Sequence, residues 1–211
     1  MTTTDFQWID DTLELLGVQR YGHPSKATAA DMARLEARLG HALPAVYRYF
    51  LARYGGCAFG GDEDHVVVTI HEQNPSGRIT APEVFYALDP SHSYSIERAL
   101  DTYAGRIPSG VLPISSDAGG NQICLDVGGD YEGSVWVWDH EQRWFTGSLQ
   151  AIADELDQRG VATQRLSVHH ILRAWARLHP ERFTRSPDYE GMYAISATFE
   201  DFLRALRSSS A

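Results

Sequence analysis

The stretch that most constrains this chain is residues 107–141, IPSGVLPISSDAGGNQICLDVGGDYEGSVWVWDHE. Three short β-prone runs, 111–114, 122–125 and 134–138, alternate with glycine-bearing turns at 116–121 and 128–133. Glycine pairs supply the positive φ that a tight hairpin needs, and the flanking residues are β-branched or aromatic. The pattern predicts a β-meander with an acidic rim. It contains no recognisable catalytic constellation, so physics alone points to a binding or interaction domain.

Helical patterns flank the meander. In 5–17, Trp8, Ile9, Leu13 and Leu16 share one face and Gly17 stands at the C-cap position. A linker over 19–26 follows, so 1–26 reads as an N-terminal helical extension that packs on the main body or on a partner. Thr28 and Asp31 form a capping-box pattern ahead of Met32, Leu35 and Leu39. Pro44 suits the first turn of a second helix, striped by Tyr47, Phe50, Leu51 and Tyr54 and stopped by Gly55-Gly56. Strands are expected at 66–70 and 84–88, with Ser93 or Ser95 capping a helix through Tyr103. After the meander, Ser148 and Ser167 cap two amphipathic helices, 181–193 reads as irregular, and Thr198 with Asp201 opens a final helix striped by Phe199, Phe202, Leu203 and Leu206.

With 211 residues the chain can bury a sizeable core. Net charge is −10, which makes nucleic acid a poor partner and a basic protein a better one. Of the 18 basic residues all but Lys26 are arginines. No run has the length of a membrane span, and 1–5 lacks the basic start of a signal peptide, so a cytoplasmic location is expected. Cys57 and Cys124 are too few for a disulfide framework and wrongly spaced for zinc; they read as small buried apolar residues.

Two blocks together resemble the SUKH superfamily, which includes fungal regulators of cell-wall assembly and bacterial immunity proteins that neutralise polymorphic toxins. The first block carries Leu35, Glu36, Leu39, Gly40, Leu43, Pro44, Tyr47, Phe50, Leu51, Tyr54, Gly55 and Gly56. The second carries Leu112, Pro113, Ile114, Asp117, Gly119, Gly120, Asn121, Ile123 to Asp126, Gly133, Val135, and Trp138-Asp139-His140-Glu141. The resemblance spans roughly 28–141 and implies an α+β fold: a twisted, mainly antiparallel sheet with helices packed on one face, closed by a C-terminal helix. It also implies binding rather than turnover, with no cofactor and no metal. The closing pattern departs from the family, because 148–156 has the right distance and 198–206 the better pattern. Either 143–193 is a helical insertion in a domain spanning 27–211, or 160–211 is an appended unit; the insertion is favoured.

The expected function is that of an immunity protein which binds and blocks a cognate toxin domain, with an intracellular scaffold or regulator of the same fold as the alternative. The expected partner surface comprises the acidic loop Asp62-Glu63-Asp64, then Asp117, Asn121, Asp126, Asp130, Glu132 and Glu141, and an outward-facing Trp136, with Trp136, Trp138 and Trp144 straddling the two faces of the sheet. A third reading makes His140 a general base flanked by carboxylates. The competing structural reading has Asp117 and Asn121 bonding turn amides and 139–141 capping a strand end. His169, His170 and His179 lack the i, i+4 spacing of two ligands on one helical face.

Overall fold

The computed structural model describes residues 6–20, 27–59, 65–72, 77, 79–141, 148–180 and 187–209. Its elements in chain order are α1 (Gln7–Leu15), β1 (Gln19–Arg20), α2 (Ala29–Leu39), α3 (Ala45–Tyr54), β2 (Cys57–Ala58), β3 (Val66–Thr69), β4 (Ile79–Thr80), β5 (Val84–Phe85), α4 (Ile96–Thr102), β6 (Val111–Ser116), β7 (Gln122–Asp126), β8 (Val135–Trp138), α5 (Leu149–Gln158), α6 (Val168–Leu178), β9 (Met192–Ser196), α7 (Phe199–Ala205) and β10 (Arg207–Ser208). One sheet runs β1-β2-β5-β6-β7-β8-β9 and a second β10-β3-β4, with every strand pair antiparallel. This is the expected α+β fold.

The meander forms the centre of the large sheet. Strands β6, β7 and β8 lose their side chains from water on both faces, apart from the half-buried Ser116 at the end of β6. Side chains alternate with period two. Leu112, Ile114, Ile123, Leu125, Val135 and Val137 enter the main core. Val111, Cys124, Trp136 and Trp138 face the opposite way, into a second cluster with Ile107, Tyr189 and Met192. Trp136 and Trp138 therefore share a face, as residues two apart in a strand must, and do not straddle the sheet. Pro113 has no amide proton for the ladder, and the register shifts between Pro113 and Ser115. A bulge is where a central strand can accept proline.

The main core is aromatic. Phe50 packs edge-on to Phe85 at 5.0 Å and to Phe199 at 5.5 Å, and Tyr47 meets Phe199 at 5.0 Å. Such geometries add to the area these rings bury. The stripe read from α3 supplies Tyr47, Phe50, Leu51 and Tyr54, all buried. The Thr28–Asp31 capping box of α2 is present in full, and Leu43, buried in the loop before α3, donates its amide to Glu36 at 2.9 Å. Gly56, at φ +82°, lets the chain turn out of α3 after Gly55. Pro44 precedes α3 as its N-cap. Ser95, rather than Ser93, caps α4. Helix α1 lies on the body, with Ile9 and Leu13 fully buried. Its Asp10 accepts from the Tyr49 hydroxyl at 2.9 Å, the Tyr54 hydroxyl at 2.6 Å and the Arg53 guanidinium. Burial pushes the Asp10 pKa up, but these donors outweigh it and the net shift is downward.

After β8 the chain leaves the sheet, builds the α5–α6 hairpin, and returns as β9, which pairs with β8 itself. The hairpin has its own small core of Ile152, Leu156, Ile171 and Trp175. Glu155 ties it together, accepting from the Trp175 indole at 2.9 Å and bonding His179 Nε2 at 2.8 Å. Helix α7 fills the main core with Phe199, Phe202 and Leu203, and β10 then pairs with β3. The expectation of an irregular 181–193 is corrected at its end. Pro187–Tyr189 forms a 3-10 turn and β9 begins at Met192.

Candidate functional site

The two turns of the meander lie at opposite ends of β7, and they divide the predicted site residues between them. At the β6–β7 turn Asp117 accepts from the Asn121 amide at 2.9 Å, the Asn121 side chain at 3.0 Å and the Thr80 hydroxyl at 3.1 Å. Gly120, at φ +87°, makes the reversal, and Gly119 beside it leaves a Cβ position 3.3 Å from Asp117. Asn121 Oδ1 accepts from the His140 amide at 3.2 Å and lies 3.1 Å from His140 Nδ1. Asp139 is buried and accepts from the Glu141 amide at 3.0 Å, while the Glu141 side chain is exposed.

Asp117, Asn121, Trp138, Asp139, His140 and Glu141 thus meet at one end of the sheet, mostly as the structural reading had them. Among the described residues no carboxylate hydrogen-bonds the His140 ring. Its Nδ1 faces an amide oxygen and its Nε2 is 4.0 Å from Glu141, beyond hydrogen-bond distance. Among the described residues no serine, threonine or cysteine hydrogen-bonds its ring, and both cysteines are buried. Beside this turn a cavity of about 310 Å³ is lined by Tyr86, Tyr94, Arg98 and Gln122 among others. The Tyr86 hydroxyl donates to Gln122 at 2.5 Å, and burial pushes its pKa up.

The β7–β8 turn is built around Asp126, which is fully buried. Its carboxylate accepts from the amides of Gly128 at 3.1 Å, Gly129 at 2.6 Å and Tyr131 at 2.9 Å, and from the Tyr189 hydroxyl. Four donors meet a charge that burial would otherwise make expensive. The Tyr189 hydroxyl in turn accepts from the Asp130 amide at 3.1 Å. Burial, then the adjacent Asp126 carboxylate, push the Tyr189 pKa up. Gly128 and Gly129 serve close approach rather than positive φ. A Cβ on Gly128 would fall 2.2 Å from the His41 ring, and one on Gly129 2.1 Å from the Tyr189 oxygen. The positive φ of this turn belongs to Gly133, at +94°.

Two predicted partner contacts are corrected here. Asp126 offers no carboxylate to the surface because its oxygens hold the turn. Trp136 is 5% exposed, lies under Tyr131 and Tyr189, and donates its indole N–H to Ser134 at 2.6 Å. The turn displays Asp130, Tyr131 and Glu132 instead. The Asp62-Glu63-Asp64 loop and Trp144 lie outside the described residues. Sequence reasoning missed Tyr189, whose partner stands 63 positions away. No local pattern marks such a pair.

Fold and site together define an α+β protein whose antiparallel sheet presents two differently built turns. The pattern of the SMI1 / KNR4 family (SUKH-1) matches residues 26–158, more than half of the chain, and the protein belongs to that family. It is also 35% identical over 146 residues to the SPbeta prophage-derived uncharacterized protein YokK of Bacillus subtilis (strain 168), an alignment covering 64% of this chain and 74% of that protein. The family includes toxin-immunity proteins. The match ends with α5, whereas the helix that closes the main core in space is α7. Among the described residues no helix is long and apolar enough to cross a membrane.

Proposed function

We propose that this protein is a cytoplasmic immunity protein that binds a cognate toxin domain and blocks it sterically and electrostatically, without turnover. The observation that carries this reading is the clamped β7–β8 turn, which holds Asp130, Tyr131 and Glu132 out to solvent on a backbone braced from two sides. Preorganised display lowers the ordering cost of association. The net charge of −10 suits a basic partner such as a nuclease domain, with Glu141 and the Asp62-Glu63-Asp64 loop adding to the field. Neither a nucleic acid nor a membrane is a partner on this reading. Segment 143–193 is a helical insertion that returns the chain to β8, and 1–26 is an extension of the domain.

The test is capture followed by rescue. Tagged protein taken from its own source should retain one stoichiometric basic partner at moderate salt. Expression of that partner should arrest growth, and co-expression of this chain should relieve the arrest. A partner that does not harm cells, or harm that co-expression leaves unchanged, rejects the reading. Several substoichiometric partners from a signalling or wall-synthesis set would favour the regulator of the same fold.

A further inference from the structure

Between the C-terminal end of α2, the α4–β6 connection and α6 lies a cleft of about 440 Å³ that no functional reading above uses. In a chain of net charge −10, its lining sets Arg38, Arg173 and Arg177 against the single carboxylate of Asp188. Leu100, Tyr103 and Pro113 contribute an apolar wall. The volume falls within the range of small-ligand sites, and a few convergent polar groups on apolar walls are the usual composition of such sites.

The three guanidinium groups differ in how firmly they are held. Arg173 is fixed at the back, its side chain 15% exposed, donating to the carbonyls of Arg106 at 2.5 Å and Ile107 at 3.3 Å. Its Nε is 4.0 Å from Asp188, too far for a hydrogen bond. Arg177 reaches Asp188 through Nη2 alone, at 2.7 and 3.0 Å. Arg38 likewise uses Nη2 alone, toward Asp101, whose side chain is 73% exposed. Among the described residues the remaining donors of Arg38 and Arg177 are free. Exposed ion pairs of this kind are weak and exchange partners readily. Guanidinium forks match a carboxylate in two-point geometry.

We propose that this cleft binds a carboxylate carried on a short apolar stem. The carboxylate sits between Arg38 and Arg177 with Arg173 behind them, and the stem lies along Leu100, Tyr103 and Pro113. Because α6 lies beyond the matched family region, this is a site that the C-terminal third adds to the fold. It does not depend on the immunity reading, since it is tested on the purified chain.

The test is a titration of the full-length protein with 3-phenylpropanoate at low ionic strength, followed by arginine side-chain NMR and calorimetry. 3-Phenylpropanamide serves as the control at the same concentrations. Saturable binding of the acid, absent for the amide, is expected. The exposed double variant Arg38→Gln/Arg177→Gln should weaken it about tenfold or more, the loss expected when charge-assisted bonds are removed. A blocked Phe-Glu dipeptide separates the two sources of such a group. Tighter binding of the dipeptide assigns the carboxylate to a protein side chain, and tighter binding of the free acid to a small metabolite. Equal binding of acid and amide, an unchanged affinity in a folded double variant, or no binding of either probe up to about 10 mM overturns the proposal.

Discussion

The two turns of the meander look alike in sequence and are held by different means. Each joins two buried strands and carries a glycine pair and an acidic residue. At the β6–β7 turn Asp117 bonds residues of its own turn and Thr80, so most of the arrangement is local. At the β7–β8 turn Asp126 is buried, and a hydroxyl from Tyr189 closes its shell. The difference shows that a turn can be braced in two ways: by its own side chains, or by a distant segment that docks beside it. The second way couples the turn to the C-terminal third of the chain.

The largest effect that can break this comparison is at Asp126. Asp126→Ala leaves three backbone amides and the Tyr189 hydroxyl without their acceptor; each donor left unsatisfied in a buried site costs about 1–3 kcal/mol, so a total loss of about 3 kcal/mol or more is expected. Asp117→Ala, at a half-buried turn, should cost about 1 kcal/mol. Urea midpoints with unchanged slopes measure both. Equal costs at the two turns would show that the Asp126 shell contributes no more than local turn bonding does.

Tyr189→Phe comes next. It removes one hydroxyl bond to a charged group, worth about 1.5–3 kcal/mol, and keeps the ring against Trp136 and Tyr131. Amide exchange should quicken at 129–131 and stay unchanged at 117–121. Exchange that quickens at both turns, or at neither, would sever the proposed coupling. The pH dependence has a definite sign. The folded Tyr189 pKa lies above the unfolded value near 10. Its stabilising contribution is therefore complete below about pH 10 and is lost as pH rises toward the higher folded value. Wild type should lose stability above pH 10 more steeply than Tyr189→Phe, and the gap between them should be constant from pH 6 to 9.

Much of this was legible in the sequence because it is local. The α3 stripe, the Thr28 and Thr198 caps and the three meander strands are set by period, capping chemistry and glycine position within about ten residues. The Asp117–Asn121 bonds followed from the habits of short polar residues in turns. What could not be read was set by partners far along the chain. The inward turn of Asp126 needs Tyr189, and β9 needs β8 to pair with. The glycines at 128–129 answer to His41 and Tyr189, so their purpose is invisible in a hairpin pattern that predicts only positive φ. The two-residue strands β1, β2, β4 and β10 are too short to show alternation and exist through pairing alone, whereas β5 lies at the start of a β-prone run that the sequence does show.

The smallest effect on stability, and the sharpest for function, is charge reversal on the displayed turn. Asp130→Lys/Glu132→Lys changes exposed side chains, and the groups that hold the turn are the Asp130 amide, Asp126 and Tyr189. The shift in unfolding free energy should stay within about 0.5 kcal/mol. Association with the captured partner should slow and lose salt dependence, because rim charges act mainly on the rate of encounter. Tyr189→Phe should leave the salt slope intact and raise the dissociation rate, since it loosens the turn without changing its charge. If the two variants alter the same rate constant, rigidity and charge are not separable at this turn. An unchanged association rate in the charge-reversed protein would move the binding surface elsewhere, and the less cross-braced β6–β7 turn with Glu141 would be the next surface to reverse.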